Sequence, residues 1–167
     1  MKTSSHALSW AAFAAMLLFA AGFVIVTSSG LPARVAVHFD AAGQATSYMT
    51  VGRYRMAVLA FAVAFPGLLV AGLKSAYSRA KTFNLPNRDY WLAPQRIADT
   101  RSFLVAHGVW FGTLLAGLMC FMHRLLLEAN RQIPPTLSNQ AFFVGLLAFT
   151  VCMAVWLGAM LLRFRRP

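Results

Sequence analysis

Apolar residues are concentrated in four long segments, separated by shorter segments that carry most of the charged residues. The apolar segments are residues 8–26, 56–73, 103–127 and 141–162. A helix that crosses a bilayer needs about 20 predominantly apolar residues, because its backbone polar groups find no water in the hydrocarbon and must bond to one another. The pattern therefore predicts an all-α fold, an integral membrane four-helix bundle that forms a single domain over residues 1–167.

The composition agrees with this class of protein. Hydrophobic residues make up 59% of the chain and charged residues only 11%, whereas soluble proteins carry about 25% charged residues. The first apolar segment follows Lys2 and precedes the small residues Thr27, Ser28 and Ser29, an arrangement that a cleaved signal sequence also shows. Its apolar run is longer than the roughly 7–15 residues of a signal core, and no A-x-A pattern follows it. We therefore expect a first helix that is retained.

The distribution of Lys and Arg predicts the orientation, because short cytoplasmic loops retain positive charge. Ten of the 15 basic residues fall on one predicted side: Lys2, Lys74, Arg79, Lys81, Arg88, Arg96, Arg101, Arg163, Arg165 and Arg166. The other five fall on the opposite side: Arg34, Arg53, Arg55, Arg124 and Arg131. We predict that both termini are cytoplasmic and that residues 30–55 and 128–140 face outward.

The net charge of +11 raises the question of a nucleic-acid partner. The basic residues lie at helix ends and in short loops, however, and form no single soluble surface, so we expect no nucleic-acid binding. Basic residues next to a membrane are each worth about 1 kcal/mol against an acidic leaflet. The predicted partners are therefore the anionic lipids of the bilayer, with a membrane-protein partner or a second copy of the chain as further candidates.

The loop after the first span is the most distinctive segment. Val35, Val37 and Phe39 alternate with small or polar residues, which predicts a short extended segment. Residues 40–43 then form a predicted turn, because Asp40 can bond to its own backbone and Gly43 can adopt a positive φ.

This loop carries a resemblance to a known family. Leu31-Pro32, His38-Phe39-Asp40 and Gly43 resemble the pattern of the N-terminal membrane domain, of unknown function, that is found in SdpI-type immunity proteins and in many small bacterial membrane proteins. The similarity covers about residues 10–75. The family often has a second proline shortly before the histidine, where this chain has Ala36, and SdpI-type proteins are longer. The resemblance implies a multi-pass protein of the bacterial inner (cytoplasmic) membrane, and it implies an immunity-like role.

A second motif lies between the second and third spans. Its Asn-hydrophobic-Pro-Asn-x-x-Tyr-Trp pattern resembles a segment of small four-span relatives of the same domain, and it consists here of Asn84, Leu85, Pro86, Asn87, Tyr90 and Trp91. Tyr and Trp suit the headgroup region, where the ring is apolar and its tip polar. Two interpretations stay open at this point: an interfacial loop that packs under the bundle, or a site for a ligand or partner.

The third span carries small residues at four-residue intervals: Gly108, Gly112, Ala116 and Cys120. Small residues allow helix backbones to approach closely in lipid, where no hydrophobic effect drives association. This stripe predicts close helix packing, either inside the bundle or in a homodimer. In the second span Pro66 lacks a backbone N–H, which predicts a kink near Ala62.

Residues with catalytic or metal-binding potential are few. The only acidic residues are Asp40, Asp89, Asp99 and Glu128, and the chain has no hydrolase, metalloprotease or phosphate-loop motif. We therefore expect no enzyme and no cofactor. His38, Asp40, His123 and Glu128 are weak candidates for a metal site, since all lie on the predicted outer side without a metal-binding spacing.

Three histidines receive separate interpretations. His123 is predicted to be interfacial, and Arg124 and Glu128 are predicted to pair along the same helix. His107 falls inside the third span, where an ionisable group is costly unless it is partnered, so it is either a structural residue or part of a proton or ligand pathway. His38 is either functional or a structural residue of the loop.

These observations lead to two functional hypotheses. The first is a binding or regulatory membrane protein, immunity-like, that recognises a peptide, a lipid or a protein partner through its outer loop and helix ends. The candidate residues are His38, Asp40, Gly43, Asn84, Pro86, Asn87, Tyr90 and Trp91. The alternative is a small transporter or an accessory subunit of a larger membrane complex, which requires oligomerisation through the stripe of small residues.

Overall fold

The computed structural model describes residues 2–80 and 83–165, and four long helices dominate them. The first is α1 (Lys2–Thr27), which ends in a short 3₁₀ turn, Ser28–Gly30. A two-stranded hairpin, β1 (Arg34–Phe39) and β2 (Ala45–Thr50), leads into the second long helix. That helix consists of α2 (Val51–Leu59), a π-helical segment (Ala60–Ala64) and α3 (Phe65–Arg79). The short α4 (Arg88–Trp91) precedes the remaining two long helices, α5 (Ile97–Asn130) and α6 (Asn139–Arg165).

All four predicted spans lie within these helices, and the all-α membrane class is confirmed. The four helices that are long and apolar enough to cross a membrane cover His6–Gly30, Val51–Arg79, Ile97–Asn130 and Asn139–Arg165. The start of α1 and the end of α6 lie at one end of the bundle, which we call the terminal end. The hairpin lies at the opposite end, which we call the hairpin end.

The third span, α5, is the central helix of the bundle. It packs against α1, α3 and α6, whereas α6 packs mainly against α5. Phe13, Val70, Val105 and Val109 form one buried cluster between α1, α3 and α5. The most apolar part of α6, by contrast, has no buried residue. This helix therefore exposes most of its surface to the surroundings, as a helix in lipid can do without cost.

The stripe of small residues on α5 packs inside the bundle. Gly108 lies against Leu73, and Gly112 lies against both Val70 and Phe13. Ala116 and Cys120 are buried as well. Of the two alternatives that the sequence left open for this stripe, the structure shows the internal one.

The irregularity in the second span lies where Pro66 predicts a kink, and it takes the form of a π-helical segment. The residues before Pro66, Ala60–Ala64, form this segment, and the N–H of Phe65 donates to the carbonyl of Ala60, five residues back. A π-helical turn accommodates the carbonyls that proline cannot satisfy, because it shifts their partners by one residue.

The hairpin confirms the predicted extended segment and turn, and it adds a second strand that the sequence did not indicate. β1 and β2 pair in antiparallel fashion, with irregularities between Ala36 and His38 and between His38 and Phe39. Gly43 adopts a positive φ of 79°. The Asp40 carboxylate accepts hydrogen bonds from the backbone N–H groups of Ala42 at 2.9 Å and Gln44 at 2.8 Å, which fixes the turn.

Candidate binding site at the hairpin end

A buried asparagine attaches the hairpin to the bundle. The side chain of Asn130, at the end of α5, accepts a hydrogen bond from the Ala36 N–H at 2.7 Å and donates one to the Ala36 carbonyl at 3.0 Å. Both residues are buried. The amide thus pairs with β1 as a neighbouring strand would, and it satisfies two backbone groups that have no access to water. Sequence reasoning did not single out Asn130.

A second attachment holds the turn of the hairpin. Asn139, the first residue of α6, donates to the Ala41 carbonyl at 2.8 Å, and the Leu137 N–H donates to the Gly43 carbonyl at 2.9 Å. A Cβ at Gly43 would meet the Leu137 carbonyl oxygen. Gly43, a predicted site residue, is therefore required for this close approach as well as for its positive φ.

His123 connects three helices below the hairpin. Its Nε2 lies 2.8 Å from Thr27 Oγ1, and its Nδ1 lies 2.7 Å from the Tyr54 hydroxyl. The single hydroxyl proton of Thr27 is donated to the Phe23 carbonyl, so Thr27 Oγ1 accepts from Nε2–H, and Nδ1 accepts from Tyr54. His123, which the sequence predicts to be interfacial, is 1% exposed, and both of its ring nitrogens have partners inside the bundle.

We expect Tyr54→Phe, which removes only the hydroxyl, to lower the unfolding free energy by about 0.6–1.7 kcal/mol, the average and the maximum for a hydrogen bond between membrane helices. The measurement is reversible unfolding in mixed micelles, combined with His123→Phe in a double-mutant cycle. Tyr77→Phe, at the other end of the same long helix, is the matched control. If the two single changes are fully additive, Tyr54 and His123 do not stabilise the fold through each other.

Two cavities next to β1 share Val37 and Leu126 as lining residues. The smaller has a volume of about 180 Å³ and lies between α2 and α5. The larger, of about 450 Å³, lies between β1, α5 and the start of α6. Val37 and Leu126 line both cavities, so together they form one feature, which we call the hairpin crevice.

The crevice has apolar walls and a polar rim. Most of the side chains that line it are aliphatic, aromatic or Met, namely Val37, Phe39, Ala41, Met49, Tyr54, Ala57, Val58, Phe61, Met119, Met122, Leu126, Leu137, Phe142 and Phe143. The polar rim of the larger cavity consists of His38, Asp40 and Asn139. Phe61 is 60% exposed and Phe143 63% exposed, so large apolar side chains also border the crevice on the lipid-facing surface.

Two predicted site residues, His38 and Asp40, meet at this rim. His38 is exposed, and its Nδ1 lies 2.6 Å from the Ser47 hydroxyl on β2. The Asp40 carboxylate is engaged through one oxygen in the turn and is exposed. Among the described residues that line the crevice, Asp40 is the only one with a formal charge at neutral pH.

The four weak metal candidates do not form a common site. His38 points to Ser47, His123 is bonded to Thr27 and Tyr54, and Glu128 forms an ion pair with Arg124 at 2.9 Å. Within residues 2–80 and 83–165, no group of three His, Cys, Asp or Glu side chains is placed to hold a metal ion. The predicted pairing of Arg124 with Glu128 is confirmed.

The second motif, in the loop before α5, holds the end of α6. Asn87 donates to the carbonyls of Phe164 at 3.2 Å and Arg165 at 3.0 Å, and the Trp91 indole N–H donates to the Phe164 carbonyl at 3.3 Å. These are carbonyls of the last turn, which lack partners within the helix. Asn87 and Trp91 thus attach this loop to the end of α6, in line with the first of the two interpretations, a loop that packs under the bundle.

The other residues of this motif have less defined contacts. The Arg96 guanidinium lies 3.8 Å from the centre of the Tyr90 ring. Asn84 and Pro86 are exposed, and nothing in the structure gives them a role in a site.

His107 is enclosed by aromatic rings within the α5–α6 contact. Its imidazole stacks on Trp156 at a centroid distance of 4.3 Å and on Phe103 at 5.3 Å. The Trp156 indole also donates to the His107 carbonyl at 3.0 Å. Among the described residues, none bonds to His107 Nε2. The stacking gives His107 a packing role between α5 and α6.

No family model, curated protein or solved structure matches this chain. The resemblance to the domain of SdpI-type proteins therefore stays a prediction.

Proposed function

We propose that this multi-pass membrane protein is a binding or regulatory protein, and that it takes up the apolar part of an amphipathic ligand in the hairpin crevice. The observation that supports this most is the combination of a cavity of about 450 Å³ with a polar rim that contains His38 and Asp40. Ligand sites typically join apolar walls to a few convergent polar groups. The ligand's polar group would contact the rim, and an immunity-like or regulatory effect would follow from its capture.

We further propose that the hairpin end faces outward and the terminal end the cytoplasm, in a bacterial inner membrane. The ten-to-five distribution of basic residues supports this orientation. Lys74, Arg96 and Arg163 lie over aromatic rings near the terminal end, where they are placed to contact anionic headgroups.

Reporter fusions test the orientation. Alkaline phosphatase, which is active only outside the cytoplasm, should be inactive when fused after Pro167 and active when inserted at the exposed Gln132, because the loop between α5 and α6 lies at the hairpin end. An active fusion after Pro167 together with an inactive insertion at Gln132 would reverse the proposed orientation.

A transporter or an accessory subunit, the alternative function, would need the stripe of small residues on α5 to be free to contact another chain. Gly108 and Gly112 are instead occupied by Leu73, Val70 and Phe13 of the same chain. The structure thus offers no observation that favours this alternative over ligand binding.

A fluorescent amphiphile tests the proposed binding site. We expect dansyl-dodecylamine to bind the protein in nanodiscs beyond its partition into protein-free nanodiscs. Leu126→Trp should weaken this binding by about tenfold or more, equivalent to about 1.4 kcal/mol, because Leu126 lines both parts of the crevice.

Leu118→Trp is the matched control. Leu118 lies on the same helix and lines a different cavity, of about 420 Å³, between α5 and α6. Equal binding by the wild type, Leu126→Trp and Leu118→Trp would place the amphiphile outside the crevice and refute the proposed function.

A further inference from the structure

A separate cavity of about 380 Å³ lies at the hairpin end, between α1 and α5. Its lining residues come from the last two turns of these helices and from the residue that follows α5, namely Phe23, Thr27, Arg124, Leu127, Glu128 and Arg131. It shares no lining residue with the hairpin crevice. We call it the arginine cavity.

The arginine cavity has more positive than negative groups. Arg124, Glu128 and Arg131 follow one another at intervals of four and three residues, so they lie on one face of the helix. The Nε of Arg124 donates to the Glu128 carboxylate at 2.9 Å, which leaves the other N–H groups of Arg124 available. Within the described part of the chain, the Arg131 guanidinium forms no hydrogen bond or ion pair. The cavity therefore offers guanidinium donors and one excess positive charge to an anion.

A phosphate group suits these donors and this position. The planar guanidinium binds phosphate oxygens through paired N–H donors. The cavity lies where the spans His6–Gly30 and Ile97–Asn130 end, and phospholipid headgroups lie at the ends of spanning helices. A phosphodiester carries one negative charge, which would neutralise the excess charge of the cavity.

The part of the cavity nearer the membrane centre is apolar. Leu127 is buried and Phe23 is half-buried, and Phe23 precedes Thr27 by one helical turn, about 6 Å along α1. The Phe23 ring stacks on that of Phe19, one turn deeper, with ring centroids 5.6 Å apart. Phe19 is exposed. An acyl chain could pack along these two rings, whereas a free phosphate ion would gain nothing from them.

We propose that the arginine cavity binds an anionic phospholipid from the leaflet at the hairpin end. Arg124 and Arg131 contact its phosphodiester, and one acyl chain runs along Phe23 and Phe19. A zwitterionic lipid fits less well, because its cationic headgroup would restore the excess positive charge. This site goes beyond the proposed function, and it does not depend on what the hairpin crevice binds.

Site-specific photolabelling tests the inference. The probe is phosphatidylglycerol with a diazirine near the glycerol end of one acyl chain, added in trace amounts to the protein in phosphatidylcholine nanodiscs. We expect it to label residues 19–27 more strongly than a phosphatidylcholine probe with the same chain. Labelling follows affinity at this low occupancy, so Arg131→Gln should reduce it about fivefold. This reduction corresponds to about 1 kcal/mol for a basic residue at an acidic leaflet, at about 1.4 kcal/mol per tenfold.

Two further variants separate this site from general charge attraction. Arg53→Gln is the matched control, because it removes the same charge from an exposed residue at the hairpin end that lines neither this cavity nor the crevice. It should change the labelling of residues 19–27 by less than about twofold. Glu128→Gln removes the carboxylate that engages Arg124 and should increase the labelling about twofold or more. A purely structural ion pair would give no such increase.

Several outcomes would overturn the inference. They are equal labelling by the two lipid probes, equal reduction in Arg131→Gln and Arg53→Gln, and reduced labelling in Glu128→Gln. Displacement of the probe by inorganic phosphate, but not by chloride at the same ionic strength, would assign the cavity to the free anion instead. Leu126→Trp, which alters the hairpin crevice, should leave this labelling unchanged, so each proposal can fail without the other.

Discussion

Replacing Asn130 by Leu should lower the unfolding free energy by about 2–4 kcal/mol, the largest loss that we expect from a single substitution in this chain. Leu has the same number and branching of side-chain heavy atoms as Asn but can neither donate nor accept a hydrogen bond. The N–H and carbonyl of Ala36, which is fully buried, would lose their partners. Each unsatisfied buried group costs about 1–3 kcal/mol, partly offset by relaxation of the hairpin.

Asn139→Leu provides the control for this prediction. It removes one exposed hydrogen bond to the Ala41 carbonyl and should cost less than about 1 kcal/mol. The measurement is unfolding of both variants in mixed micelles, together with protease sensitivity of the hairpin. A similar small loss in the two variants would show that Asn130 does not anchor β1.

Gly112→Ile should lower the unfolding free energy by about 3 kcal/mol, at the upper end of the usual range for overpacking. A Cβ at this position would meet Val70 Cγ2 and the Phe13 ring, which lies 3.0 Å away. Two helices, α1 and α3, contact the same small residue, so α5 cannot shift away from both at once. Thermal unfolding in detergent and size-exclusion chromatography are the measurements.

Gly117→Ile is the matched control, because it introduces the same side chain into the same helix. No atom lies within 4 Å of a Cβ built at Gly117, apart from its own helix backbone and chain neighbours. We expect this control to retain the wild-type stability to within about 1 kcal/mol. If both variants unfold alike, the close packing of α5 on α1 and α3 does not limit stability.

Long apolar segments made the membrane helices predictable. A spanning segment of about 20 residues leaves a strong signal in any sequence, and each predicted span lies inside an observed helix. The alternation of Val35, Val37 and Phe39 likewise predicted β1. β2 was missed because Thr46, Ser47 and Tyr48 follow one another without a clear apolar alternation, and its pairing depends on β1.

The contacts of the site were harder to predict, because they join residues far apart in the chain. Asn130 binds Ala36 across 94 positions, and His123 binds Thr27 across 96. A polar residue near the end of a span usually indicates an interface with water. The neighbouring sequence does not show whether the side chain of such a residue points to the water or into the bundle. The sequence marks Asn87 and Trp91 as a distinctive pair, but only the position of Phe164 shows that they bond to the end of α6.

Native mass spectrometry of the protein extracted from its own membranes in a mild detergent tests the central proposal most directly. We expect the wild type and Leu118→Trp to retain one ligand of the same discrete mass, and we expect Leu126→Trp to lose it, because Leu126 lines the hairpin crevice and Leu118 does not. Retention of the same ligand by Leu126→Trp, or its loss from Leu118→Trp alone, would contradict binding in the crevice.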